Sequence, residues 1–234
     1  MKIAIVTLQI NANYGGILQA YALQTVLERM GHEVEHLQNP LYMVSYPIWK
    51  IPFVLCKRIY RKFFGGETFL PLWGHTYKIF CKNIDMFISS YIHIRYLGAS
   101  DWNSSLAKEY DAIVFGSDQV WRPLYALPIE RFFGDFLGAS TIKKIAYAAS
   151  FGIDENEYTN EQIVCCSSLL TTFQAVSVRE QSAVSICRER FGVDSIHVLD
   201  PTLLLDVDDY INLFKKANIP LSKGTMAVYV LESC

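Results

Sequence analysis

Chemistry is possible where polar residues interrupt apolar runs, and four such junctions stand out in the 234-residue sequence. They are Asn11, Asn13, Tyr14, Gly15 and Gly16; Gly116, Ser117, Asp118 and Gln119; Ser150 and Gly152; and Arg179 with Glu180. Arg179 offers a planar fork of N–H donors that can meet a phosphate or a carboxylate at two points. Pairing with a nearby acid at a helix start suits its position as well. Asp118 follows Gly-Ser, where a carboxylate can accept a sugar hydroxyl or act as a base, although capping a following helix carries slightly more weight. The adjacent Gly15 and Gly16 allow either a tight turn or the close approach of a ligand to the backbone, and both readings stay open.

A parallel sheet would bring these junctions together. Residues 2–8 are apolar and β-branched enough for a strand buried on both faces. After the polar loop, Ile17, Leu18, Tyr21, Ala22, Thr25, Val26 and Arg29 recur at helical spacing, and Gly31 supplies the stop. The first N–H groups of such a helix point toward the carboxyl end of the strand, where an anion tends to sit in an open α/β sheet. The chain has neither G-x-G-x-x-G nor G-x-x-x-x-G-K-[ST], so it carries no dinucleotide or Walker-type fingerprint.

Further strands are expected at 33–37, 111–115, 144–149, 175–178, 195–199 and 225–231, with helices at 159–173, 179–191 and 206–217. Thr159 is the expected cap of its helix, and Asp206, Asp208 and Asp209 suit the positive end of theirs. In a parallel sheet the four polar junctions lie on one edge, so residues distant in sequence converge on one crevice. Residues 41–97 differ in character, rich in aromatics, with helices expected at 48–64 and 76–91; they read as a helical insertion. The first of these carries Lys50, Lys57, Arg58, Arg61 and Lys62 among apolar residues, which suits either a peripheral membrane contact or, more commonly, a solvated face of a core helix.

The formal net charge of −2 and the lack of a basic stripe exclude broad attraction to nucleic acid. No run reaches the roughly 18 to 20 apolar residues of a membrane span, and the amino terminus lacks a signal-peptide pattern. The six cysteines form no C-x-x-C pair and read as reduced thiols of a cytoplasmic protein. The five histidines form no metal-site spacing, so no metal is expected. The expected division is a Rossmann-like domain over 1–205, with the insertion at about 41–97, a linking helix over 206–222, and a strand over 223–234 that opens a second domain. Since a buried parallel strand normally feeds a covering helix, the chain is expected to be a fragment lacking most of that second domain.

Five strings, NYGGILQAYALQ, DAIVFGSDQVWRP, KIAYAASFG, VSVREQSA and VLDPTLLL followed by AVYVLES, together resemble the polysaccharide pyruvyl transferase family, in that order and over nearly the whole chain. The resemblance implies a GT-B-like architecture of two Rossmann-like domains, and transfer of a pyruvyl group from phosphoenolpyruvate to two sugar hydroxyls, giving a ketal and phosphate. Phosphoenolpyruvate is then a donor substrate, no cofactor is implied, and the partner is a saccharide acceptor, which a membrane contact would allow to be lipid-linked at the inner face of the membrane.

By the same resemblance, Arg179 in VSVRE would hold the donor and Asp118 would be the catalytic candidate. Asn13, Tyr14, Gly15, Gly16, Gly116, Ser117, Gln119 and Ser150 would line the substrate site. Two features depart from the family pattern: no arginine-x-histidine string appears, and WRP stands where WNP is commoner. A GT-B glycosyltransferase using a nucleotide sugar and a non-catalytic saccharide- or anion-binding module are the alternative readings.

Overall fold

The structure is a computed structural model that describes residues 1–40 and 81–217. Its strands are β1 (Lys2–Val6), β2 (Glu33–Gln38), β3 (Ile94–Tyr96), β4 (Ala112–Asp118), β5 (Lys143–Ala149), β6 (Ala175–Val178) and β7 (Ile196–His197). The helices between and after them are α1 (Tyr14–Arg29), α2 (Lys82–Tyr91), α3 (Asn160–Leu170), α4 (Gln181–Phe191) and α5 (Val207–Ala217). All described strands pair in parallel, in the order β3-β2-β1-β4-β5-β6-β7, which makes an α/β fold of Rossmann type.

Alternate residues of the central strands enter two different apolar layers. Ile3 and Ile5 pack with Val34, Ala112, Val114 and Leu23 of α1, while Ala4 and Val6 pack with Leu37, Ile113, Phe115 and Leu137 on the other face. That double burial explains why these strands read as continuous apolar runs rather than alternating ones. The β5 and β6 side adds a third layer, where Trp121, Phe133, Phe151 and Phe191 pack against α3 and α4. After β7 the chain returns to α1: the turn Pro201–Leu203 lies along it, and Arg29 pairs with Asp209 at the start of α5.

Several boundaries differ from the expectation for local reasons. β1 ends at Val6 rather than residue 8, because the Gln38 side-chain amide donates to the Thr7 and Leu8 carbonyls at 3.4 and 3.3 Å and lifts the chain out of the ladder. β4 runs to Asp118 rather than 115, since Gly116 and Asp118 keep register with Tyr147 and Ala149 of β5. The described part of the stretch 41–97 is not purely helical: β3 pairs with β2, and α2 lies in the connection between them. A three-residue strand is too short to show a period. Thr159 and Gln162 form the expected reciprocal cap, each backbone N–H donating to the other's side chain at 3.0 and 3.2 Å. The expected helix at 48–64 and strand at 225–231 lie outside the described residues.

Candidate functional site

Strand order reverses direction between β1 and β4, and in open parallel sheets the crevice beyond that reversal is where ligands bind. The two strand ends are tied together by Thr7, whose hydroxyl donates to the Ser117 carbonyl at 2.9 Å. Gly116 makes the close approach of β4 to β5 possible. Its φ is +118°, and a Cβ there would stand 2.3 Å from the Tyr147 carbonyl oxygen. Two residues on, Asp118 has φ +78°, a left-handed conformation that aspartate and asparagine tolerate better than most residues.

Asp118 turns its carboxylate onto the start of α1. A Cβ on Gly16 would lie 3.4 Å from Asp118 Oδ2, so the glycine leaves room for the acid. Oδ1 accepts the Gln119 N–H at 2.9 Å. Burial raises the pKa of Asp118, the Gln119 N–H and Arg179 oppose that rise, and Asp200 and Glu180 add to it. No helix follows Asp118. The chain turns at once, with Val120 N–H donating to the Asp118 carbonyl, so the expected helix-capping role is not the one it plays.

Arg179 leaves β6 on the same edge, anchored by its N–H to the Ala149 carbonyl at 3.1 Å. Its Nε donates to Glu180 Oε1 at 3.1 Å and its Nη1 to Asp200 Oδ2 at 3.2 Å. Burial works against its charge, and Glu180, Asp200 and the more distant Asp118 outweigh that effect. Arg179 is therefore paired with acids, the second of its two sequence readings, and it stands on the same edge as Asp118. Asp200 is a member that sequence reasoning placed at a strand end but not in the site. Its other oxygen accepts the Thr202 N–H and hydroxyl at 3.0 and 2.7 Å, which fixes the carboxylate toward the arginine. The Asp-Pro-Thr string after a strand is the signal that could have found it.

The remaining residues divide into exposed and framing groups. Asn13, Tyr14 and Gly15 are exposed at the start of α1. The helix N–H groups expected to face a ligand are engaged instead, because Gly15 and Gly16 donate to Asn13 Oδ1 at 3.0 and 3.4 Å. Ser117 and Ser150 are buried; the Ser117 carbonyl accepts the Thr7 hydroxyl and Ser150 Oγ accepts the Gly152 N–H at 3.0 Å. Gln119 lies over Gly152, where a Cβ would come within 2.6 Å of its amide oxygen. Among the described residues, no group of three His, Cys, Asp or Glu side chains is arranged to hold a metal ion.

The family model described as polysaccharide pyruvyl transferase matches residues 13–224, a span that holds every member of this rim from Asn13 to Asp200. The chain belongs to that family. No curated protein matches it. Membership marks the chain as a transferase acting on polysaccharide, and the described residues include no helix long and apolar enough to cross a membrane. For a pyruvyl transferase the electrostatics of the rim matter, since one guanidinium faces three carboxylates, Asp118, Glu180 and Asp200. Nε and Nη1 are committed to Glu180 and Asp200, which leaves Nη2 as the part of the fork without an acid contact among the described residues. Glu180 is the weaker holder: its side chain is 36% exposed against 18% for Asp200, and its second oxygen has no partner among the described residues.

Proposed function

We propose that the chain transfers a pyruvyl group from phosphoenolpyruvate to a pair of hydroxyls on a sugar of a cell-surface polysaccharide, forming a ketal and releasing phosphate. The observation that carries this reading is the placement of Arg179 opposite Asp118 at the β1–β4 reversal, in a chain of this family. Arg179 would exchange Glu180 for the phosphate or carboxylate of the donor, keeping Asp200 as the brace that orients it. Asp118 would accept a proton from the attacking hydroxyl, a task helped by a pKa raised toward the working range.

The overall balance moves two hydroxyl protons. One hydroxyl oxygen bonds to C2 of the donor as C3 gains a proton, the C2–O bond to phosphate then breaks, and the second oxygen takes its place with its proton leaving on phosphate. The reading includes a GT-B arrangement, with a second domain facing this rim, and action in the cytoplasm at the inner face of the membrane, where a lipid-linked acceptor would be reached. No cofactor takes part in it.

Calorimetric titration of the chain with phosphoenolpyruvate tests the donor assignment. Saturable binding is expected, weakened at least about 10-fold by Arg179→Gln and unchanged by Arg188→Gln, an exposed arginine of α4 paired among the described residues with Asp194. Binding of UDP-glucose with none of phosphoenolpyruvate would contradict the proposal and favour a glycosyltransferase.

A further inference from the structure

A cavity of about 220 Å³ opens on the other side of the same strand ends, beyond β1 and β2. Thr7 lines it and also bonds the Ser117 carbonyl, one residue before Asp118, so the cavity and the Asp118–Arg179 cluster flank one strand end. Gln38, Asn39, Trp102, Tyr125 and Arg131 complete the part of its wall that matters for recognition. Its volume suits a single sugar ring.

The wall is organised around Asn39. Its side-chain oxygen accepts Trp102 Nε1–H at 2.8 Å and Arg131 Nη1–H at 3.4 Å, which holds the indole and the guanidinium in place. Arg131 lies over the Trp102 ring, 4.7 Å from its centroid. Gln38 is committed to the backbone, accepting the Ile10 N–H at 3.1 Å while donating to the Thr7 and Leu8 carbonyls, so this side of the cavity is rigid.

What distinguishes Arg131 is the partner it lacks. The neighbouring Arg122 is neutralised by two-point contact with Glu157, and Arg179 by Glu180 and Asp200. Among the described residues no carboxylate comes within 4.0 Å of Arg131, and its guanidinium donates to Asn39 alone. Asp135 acts on it only at longer range. A half-buried guanidinium stacked on an indole and left without an acid has donors to give to an anion. Tyr125, 56% exposed, adds an aromatic face at the mouth.

We infer that this cavity is a subsite for a sugar carrying an anionic group, a phosphate or a carboxylate, with Trp102 and Tyr125 against the ring and Arg131 on the anion. This rests on the transferase reading, in which it places the acceptor across the same strand ends from Asp118 while the donor occupies Arg179. It also commits the acceptor to an acidic class.

Titration of the chain with the 1-phosphates of glucose, galactose and mannose, with glucose alone and with inorganic phosphate tests the inference, followed by calorimetry. At least one hexose phosphate is expected to bind more tightly than either glucose or phosphate, with a loss of about 10-fold or more in Arg131→Gln and a partial loss in Arg131→Lys, which keeps the charge without the fork. Glucuronate in place of the sugar phosphates separates a carboxylate from a phosphate source. Arg179→Gln should leave this binding intact. Failure of all hexose phosphates and of glucuronate together, equal binding of inorganic phosphate, or binding indifferent to Arg131→Gln in a variant that melts like the parent would overturn it. Phosphoenolpyruvate titrated on the same preparation reads the donor site separately, so loss of one proposal is not mistaken for loss of the other.

Discussion

Asp118 stands at φ +78° with its carboxylate half-buried against the start of α1. Asp118→Gly should therefore be more stable than Asp118→Ala by about 1 kcal/mol, because only glycine adopts that backbone freely. Chemical denaturation of the two variants checks this, and equal stabilities would place the residue in an ordinary conformation. For catalysis the sign follows from the direction of its pKa. A base works ionised, so activity should fall as pH drops through a value above the ordinary 3.8, and the acid limb should disappear in Asp118→Asn along with most of the turnover. The sequence showed that a carboxylate follows Gly-Ser at a strand end. It did not show that Asp118 would still be inside the ladder, because the pairing of Gly116 with Tyr147 depends on a strand that comes about thirty residues later.

At the scale of elements, β2 buries His36 completely beneath α1. Among the described residues neither ring nitrogen has a hydrogen-bond partner; burial depresses the pKa, the Ala20 backbone opposes that shift and His93 adds to it, and the value falls to about 3. The folded state thus binds fewer protons than the unfolded chain, whose histidine titrates near 6.5. Stability from this group is complete above about pH 6.5 and is lost as pH falls from there toward 3, with a slope of at most about 1.4 kcal/mol per pH unit. Urea unfolding between pH 7 and 5 should show that slope, and His36→Leu should flatten it; an unchanged slope would assign the pH dependence elsewhere. Elements with a local signature were legible in advance. Thr159 marked the start of α3, and the expected end of the helix at residue 191 is where α4 stops. The start of α1 was not, because Asn13 caps it and so recruits Tyr14, Gly15 and Gly16 into a helix that the apolar pattern dates only from Ile17.

For the whole molecule, the sequence made a parallel sheet legible through its doubly buried strands, and with it the convergence of distant loops on one edge. The strand order was not legible, since nothing in a strand's own residues says which neighbour it takes, and the reversal between β1 and β4 is what sets Asp118 against the start of α1. Of the acid partners of Arg179, Glu180 was legible as its sequence neighbour, whereas Asp200 was hidden for the same reason as the strand order: it reaches the arginine only because the chain folds back after β7. The central claim, that one rim assembled from separate loops receives phosphoenolpyruvate, is tested most directly by amide hydrogen exchange with and without that ligand. Exchange should slow together in segments 7–16, 116–122 and 179–182 and stay unchanged at 139–143 on the opposite edge of the sheet. Protection confined to one of the three segments, or appearing at the opposite edge, would contradict the account.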